Sequence, residues 1–387
     1  MQKSPLFGRR IHIAGSIDED LQIASKAEVE NARAFVKELV SALVAKGATF
    51  VVPVDAEKLR SDGMPICFDW LIWEALTSSL VRRPTGAPNP IAIAVQHHKT
   101  EDQVPSDRVA LWDGLRGSEL LSIDNASQWN MASKRMEIQA LRGEVLLTLG
   151  GGEGVLYLAN LYHQSGKPVI PLGYRLCAET TGSRKLFNQA LTRQHTSRFF
   201  RTEGQISSHD WINRLNFSSR HDVSQRVSVT MDLLESLARP TVFAVRLLNP
   251  AMPDFNDVED FFSGVVQPFV EQELGYKLDV VDGKQAYEHA RIDAEIFSKL
   301  HHSAAVVADI TGERPNCFTE LGYALARGTP LMMTAKKGTN FPFDVATLPG
   351  FSWDPVTTIE EKRRTFKIYW QANINRPSLI IPDPLIP

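Results

Sequence analysis

Residues 304–331, AAVVADITGERPNCFTELGYALARGTPL, read as a buried strand, a turn, a short helix and the start of a second strand. The apolar run 304–308 has the near-continuous hydrophobicity of a parallel strand covered on both faces. Asp309 stands where that strand ends. Thr311, Gly312 and Pro315 break the pattern, and Asn316 is placed to cap the helix that follows. Within that helix Cys317, Leu321 and Ala324 share one apolar side, and Gly328 stops it. Glu320 then lies about one turn inside the helix, near the carboxyl edge of a sheet, where open α/β sheets bind their ligands. A carboxylate there with little cationic company serves as a nucleophile or a general base. The plain alternative is a solvated helix acid at Glu320 and a turn former at Asp309.

Outward from this stretch the chain keeps alternating. A strand at 241–248, a helix near 258–274, a strand at 277–281 and a helix at 286–300 lead into it. Earlier come strand 10–14, helix 21–46, strand 48–54, helix 68–80 and strand 91–95. Residues 99–128 show no usable pattern. Helix 131–142, strand 144–149, helix 155–164 and strand 168–172 follow, then helical segments 211–217 and 223–237 with Pro240 beyond them. The alternation predicts an α/β protein with two Rossmann-like, doubly wound parallel-sheet domains joined by a helical linker at about 207–239. The predicted domains are 1–239 and 240–387. The tail 377–387 is Pro-rich and reads as extended.

Composition narrows the function classes. The chain has 387 residues, 43% apolar, with 42 Lys and Arg against 45 Asp and Glu, a formal net charge of −3. No basic excess points to nucleic acid. Cys67, Cys177 and Cys317 are odd in number and far apart, which predicts neither a disulfide framework nor a metal centre, and a reducing compartment. No apolar run reaches about 18 residues, and MQKSPLFGRR has no apolar core of a signal peptide, so a cytoplasmic protein without membrane contact is expected.

A second feature is Gly-rich. Gly150, Gly151, Gly152 and Gly154 sit between a buried strand and a helix, where backbone N–H groups attract phosphate. Lys134 and Arg135, on the preceding helix, add cations. Residues 175–201 carry Arg175, Arg184, Lys185, Arg193, Arg198 and Arg201 against Glu179, suiting either phosphate recognition or a solvated face. The pairs His97-His98 and His301-His302 lack the partners of a metal site, and Trp70 and Trp73 read as core.

Two resemblances follow from these residues. The pattern D-I-T-G-x-x-P-N-x-F-x-E-L-G-Y-A resembles the nucleoside 2-deoxyribosyltransferase and TIR-like superfamily, over roughly the last third of the chain. This implies that Glu320 attacks, or stabilises charge at, an N-glycosidic C1′, with Asp309 and Asn316 holding ribose hydroxyls or orienting Glu320. It places Asn249, Arg291 and Tyr323 on the substrate side; Arg291 equally has Glu288 and Glu295 at pairing distance along the helix. Residues 131–172 resemble the LOG/DprA-like (SLOG) superfamily. Lys134-Arg135 stand for its basic pair in reversed order, and Gly151, Gly152 and Gly154 for its glycines. Val155 and Leu158 replace its threonine and catalytic glutamate, which implies a pocket that binds a nucleotide without cleaving it. Gly15 and Ser16, in I-H-I-A-G-S, would face the same ligand, with Arg135 and with Gly151, Gly152, Glu153 and Gly154. Together the halves are similar to bacterial antiviral proteins that join a SLOG sensor to a NAD-destroying effector. The resemblance implies a small signal (a cyclic nucleotide or an ADP-ribose-like molecule), NAD as substrate, no cofactor and no metal, and a homo-oligomer. The alternatives are a constitutive nucleoside or nucleotide N-glycosidase or deoxyribosyltransferase, and a non-enzymatic nucleotide-binding scaffold.

Overall fold

The computed structural model describes residues 4–97, 103–126, 131–218, 220–281, 291–374 and 376. Its contacts divide the chain into two compact units, Met1–Ala238 and Arg239–Pro387.

The first unit runs β1 (Arg10–Ala14), α1 (Lys26–Ala45), β2 (Thr49–Pro53), α2 (Asp69–Ser79), β3 (Ala92–His97), α3 (Val109–Arg116), β4 (Leu121–Ala126), α4 (Met131–Arg142), β5 (Val145–Leu149), α5 (Glu153–Gln164) and β6 (Val169–Leu172). Four helices close it: α6 (Gly182–Ala190), α7 (Arg193–Phe199), α8 (Ser208–Leu215) and α9 (Val223–Ser236). The strand order is β4-β3-β2-β1-β5-β6, with all pairs parallel. The order reverses at β1, so the loops after β1 and β5 leave from adjacent strand ends; this is the crevice where such sheets take ligands.

Local chemistry explains the elements. β5 is VLLTL and fully buried, as a central parallel strand must be. α1 buries Val29, Ala32, Val36, Leu39, Val40 and Leu43 along one stripe. It begins at Lys26, later than the periodicity suggests, because the Ser25 hydroxyl accepts from the Glu28 N–H and fixes the cap. Residues 99–128, unreadable in sequence, include α3 and the edge strand β4. β4 is largely exposed and lacks the apolar run that marks a buried strand. α8 and α9 are not a free connection. Trp211, Ile212, Leu215, Met231 and Leu234 belong to the core that also holds Phe35 and Leu39 of α1.

The second unit runs β7 (Thr241–Val245), α10 (Phe255–Phe261), π-helical turns at Phe262–Val266 and Phe269–Glu273, β8 (Lys277–Asp279), α11 (Ile292–His302), β9 (Ala305–Asp309), α12 (Pro315–Arg327), β10 (Leu331–Lys336), β11 (Gly350–Trp353) and α13 (Ile359–Asn373). Its order is β11-β10-β9-β7-β8, again all parallel. Strand residues alternate between two cores. Val242, Ala244, Ala305 and Val307 pack with Phe261, Phe366 and Trp370, while Phe243, Val245, Val306 and Ala308 pack with Leu300, Leu321 and Ala324. A period of two with helices on both faces is what a doubly wound sheet requires. The reversal lies between β7 and β9.

Among the described residues no helix is long and apolar enough to cross a membrane, no metal-binding group forms, and the three cysteines are free thiols. The Pro-rich tail lies outside the described residues, as do His98 and Glu288.

Candidate functional site

The carboxyl edge of the second sheet is built around Asp309, the last residue of β9 and 0% exposed. Its Oδ1 accepts from the Thr311 N–H at 3.1 Å. Its Oδ2 accepts from the Thr334 hydroxyl at 2.8 Å and from Trp353 Nε1 at 2.9 Å. Burial pushes the carboxyl above its ordinary range, and these donors pull the other way. The Asp309 carboxylate, expected to hold ribose hydroxyls or to orient Glu320, is sealed under the edge and ties β9 to β10 and β11. Asn316 is exposed and does not cap α12. Arg314 holds the cap position and Pro315 the first helical one.

Arg314 is the residue that sequence reading passed over. Its Nη1 donates to the Arg246 carbonyl at 2.8 Å and its Nη2 to the Asp309 carbonyl at 3.0 Å. One guanidinium thus spans the ends of β7 and β9, at the reversal point. Glu320 lies half-buried on α12. Burial raises its carboxyl above the ordinary value and the Arg314 charge opposes that rise, so the acid does have cationic company. Cys317, Leu321 and Ala324 form the buried side of the helix as the spacing predicts.

The three substrate-side candidates are not gathered by this edge. The Tyr323 hydroxyl is 2.7 Å from His301 Nδ1, with its ring against Phe297, so it faces α11. Arg291 is 78% exposed and ion-paired with Asp293. Glu295, its expected partner, is buried and pairs instead with Lys299 at 3.4 Å. Asn249 is exposed in the turn after β7, its Oδ1 accepting from the Ala251 N–H at 3.1 Å. A cavity of about 460 Å³ lies beside β8, lined by Arg246, Glu259, Gln267, Lys277, Asp279 and Lys299; Glu320 is not in its wall.

In the first unit the Gly-rich loop meets the turn after β1. The Gly151 N–H donates to the Ser16 carbonyl at 2.7 Å. A Cβ on Gly15 would stand 1.8 Å from the Leu149 carbonyl oxygen, so only glycine permits this crossing. Gly152 faces open space at the start of α5, followed by the exposed Glu153, while Gly154 packs near Met136 of α4. The loop after β6 closes one side, its Leu176 carbonyl accepting from the Asp18 N–H at 2.8 Å. Segment 66–67 closes the other through a Ser16–Cys67 bridge. Leu158, where the resembling enzymes carry their acid, is buried against Ala140, Leu146 and Tyr162.

The expected free cations are neutralised. Arg135 Nη1 is 2.6 Å from Asp55, and Lys134 pairs with Glu137 at 2.9 Å. In the basic stretch Arg184 is tied to the Cys177 carbonyl and to Glu179, and Arg175, Lys185, Arg193, Arg198 and Arg201 are exposed, which favours the solvated-face reading. Sequence reading also missed Asp69, the first residue of α2. Burial pushes its carboxyl from 3.8 up to about 7, with Arg135 countering and Asp55 and Glu57 adding to the rise. The available signal was an acid opening the first helix after β2.

A carboxyl raised in the fold favours folding fully below its unfolded value near 3.8, and that advantage is lost as pH climbs to about 7. Asp69→Asn is therefore expected to raise the melting temperature by a few degrees at pH 8 and to leave it unchanged near pH 4. Thermal melts at the two pH values check this.

Comparison with known proteins follows the first unit. No curated protein matches the chain. Among solved structures, the X-ray structure of TM1055, a structural genomics target, is 15% identical with a TM-score of 0.31, over 58% of this chain and 99% of that one. A family model described as ATP nucleosidase Cap17-like, N-terminal, matches residues 6–234. That match takes in every strand of the first sheet and reaches into α9, more than half of the chain, and by this N-terminal region the chain belongs to the ATP nucleosidase Cap17-like family.

Proposed function

We propose that this chain hydrolyses the N-glycosidic bond of a nucleotide in its TIR-like second unit, under control of a nucleotide signal held by the Gly-rich loop of the first. The observation that carries the reading is Glu320, half-buried one turn inside α12 and within the influence of Arg314, which bridges the β7 and β9 ends. As the C–N bond breaks, positive charge grows at C1′. A fixed carboxylate stabilises it or attacks it, and water completes the hydrolysis. Nicotinamide leaves NAD as a neutral molecule and needs no strong acid. Adenine leaving ATP does need a proton donor. The family description names ATP, and the motif at Glu320 resembles NAD-cleaving proteins; the chemistry favours NAD as the faster substrate. Destruction of a shared nucleotide on receipt of a signal suits antiphage defence in the cytoplasm, with assembly of several copies as the switch.

The test is incubation of the full chain with NAD, with ATP and with deoxynucleosides plus a free base, each with and without added cyclic nucleotides and ADP-ribose as candidate signals, followed by chromatography. Free nicotinamide or adenine supports hydrolysis. Exchange of bases between deoxynucleosides supports the transferase alternative, and no product at all supports the scaffold.

Control by the first unit makes a further prediction. Gly152 faces the open mouth of the loop, so Gly152→Glu puts a bulky anion where phosphate would lie. Stimulation of base release by an added signal, from a screen of cyclic nucleotides and ADP-ribose, is expected in the wild type and absent in the variant. Equal stimulation in both would place the signal elsewhere.

A further inference from the structure

We propose that Arg314 is the positioning residue of the second unit's site: by bridging the carbonyls that end β7 and β9 it sets the crevice floor and fixes its own positive charge at the start of the helix that carries Glu320. The inference rests on the reading of Glu320 as the acid at the reacting carbon.

The geometry is specific. Arg246 O and Asp309 O are carbonyls at the ends of the two strands between which the sheet order reverses, and a carbonyl at a strand end has lost its ladder partner. A guanidinium reaches both because its donors are splayed in a plane; an ammonium group reaches such a pair poorly. The turn that delivers it is unusual: Gly312 has φ 79° and Glu313, a non-glycine, φ 48°. Such backbone is kept only where surroundings over-determine it. Pro315 then starts α12 immediately after Arg314, so strand ends, guanidinium and the helix bearing Glu320 form one rigid piece.

The other titratable groups at this sheet edge and on α11, which packs against α12, do not replace this charge. Asp309 is sealed beneath the edge. Burial pushes the Cys317 thiol up to about 12, so it stays neutral. On α11, His301 is engaged with Tyr323, and Lys299 with Asp279 and Glu295.

The test uses the full chain and two variants, Arg314→Met and Arg314→Lys. The first reading is a carbon NMR titration of the Glu320 carboxyl, assigned through Glu320→Gln, which needs no turnover. The second is the pH profile of base release. In Arg314→Met the Glu320 titration and the acid limb of kcat are expected to move up by about one pH unit or more. At pH 7 kcat should fall about 10-fold or more, with KM changed less than about 2-fold, since the residue acts through Glu320 and not on substrate. Arg314→Lys should restore the titration but not kcat, because charge returns without the bridge; it also carries the test should the methionine variant fold poorly. An unmoved Glu320 titration in Arg314→Met overturns the electrostatic half. Wild-type kcat in Arg314→Lys, or a rise confined to KM, overturns the positioning half. A wild type that releases no base from any nucleotide defeats the hydrolase reading itself, while the NMR titration still decides what Arg314 does to Glu320.

Discussion

Replacing Asp309 with alanine is expected to destabilise the second unit by about 3–5 kcal/mol, seen as a fall of about 10 °C or more in its melting temperature. Three donors converge on this carboxylate: the Thr311 N–H, the Thr334 hydroxyl and the Trp353 indole N–H. All three are left without an acceptor when the carboxylate is removed, and a buried donor stranded in this way costs about 1–3 kcal/mol. A cavity adds to the loss. The damage extends to packing, because Trp353 stacks on Phe261 with ring centres 4.7 Å apart and planes 7° from parallel, and its indole N–H is one of the three donors. Asp309→Asn should be milder. The amide oxygen can still take Thr334 and Trp353, but its NH₂ then faces the Thr311 N–H, donor against donor. A melting temperature within 2 °C of wild type in Asp309→Ala would show that these hydrogen bonds do not hold the edge together.

The fold was largely legible because its parallel strands are buried on both faces. The run at 304–308 reads directly as β9, and β5 and β7 announce themselves in the same way. β4 was hidden because an edge strand does not need apolar residues. The site was legible only in part, for reasons of distance along the chain. Nothing near Asp309 reveals that its acceptors are filled by Thr334 and Trp353, 25 and 44 residues later. An arginine before a proline reads as loop, and only the paired strand ends show what Arg314 reaches. Arg135 reads as a free cation until β2 brings Asp55 beside it. The place of Glu320 on its helix was legible because helical spacing is local: the apolar side at Cys317, Leu321 and Ala324 fixes how far around the helix the acid lies.

The second large effect is expected from Glu320→Gln. Glutamine keeps the shape of the side chain and removes the charge. The fold should be untouched, since Glu320 is half-buried and no described hydrogen bond depends on its carboxylate. In the proposed reaction the carboxylate is needed most when C1′ becomes cationic, so its loss should appear in kcat and leave KM nearly constant. Removing a group that stabilises transition-state charge costs on the order of 10²–10³-fold, and more where it also attacks. The measurement is turnover of NAD by the wild type and by Glu320→Gln, followed as free nicotinamide at pH 7.5 with the activating signal present. Release by the wild type is expected, with a loss of at least about 10³-fold in the variant at unchanged melting temperature. Equal release by both proteins would contradict it.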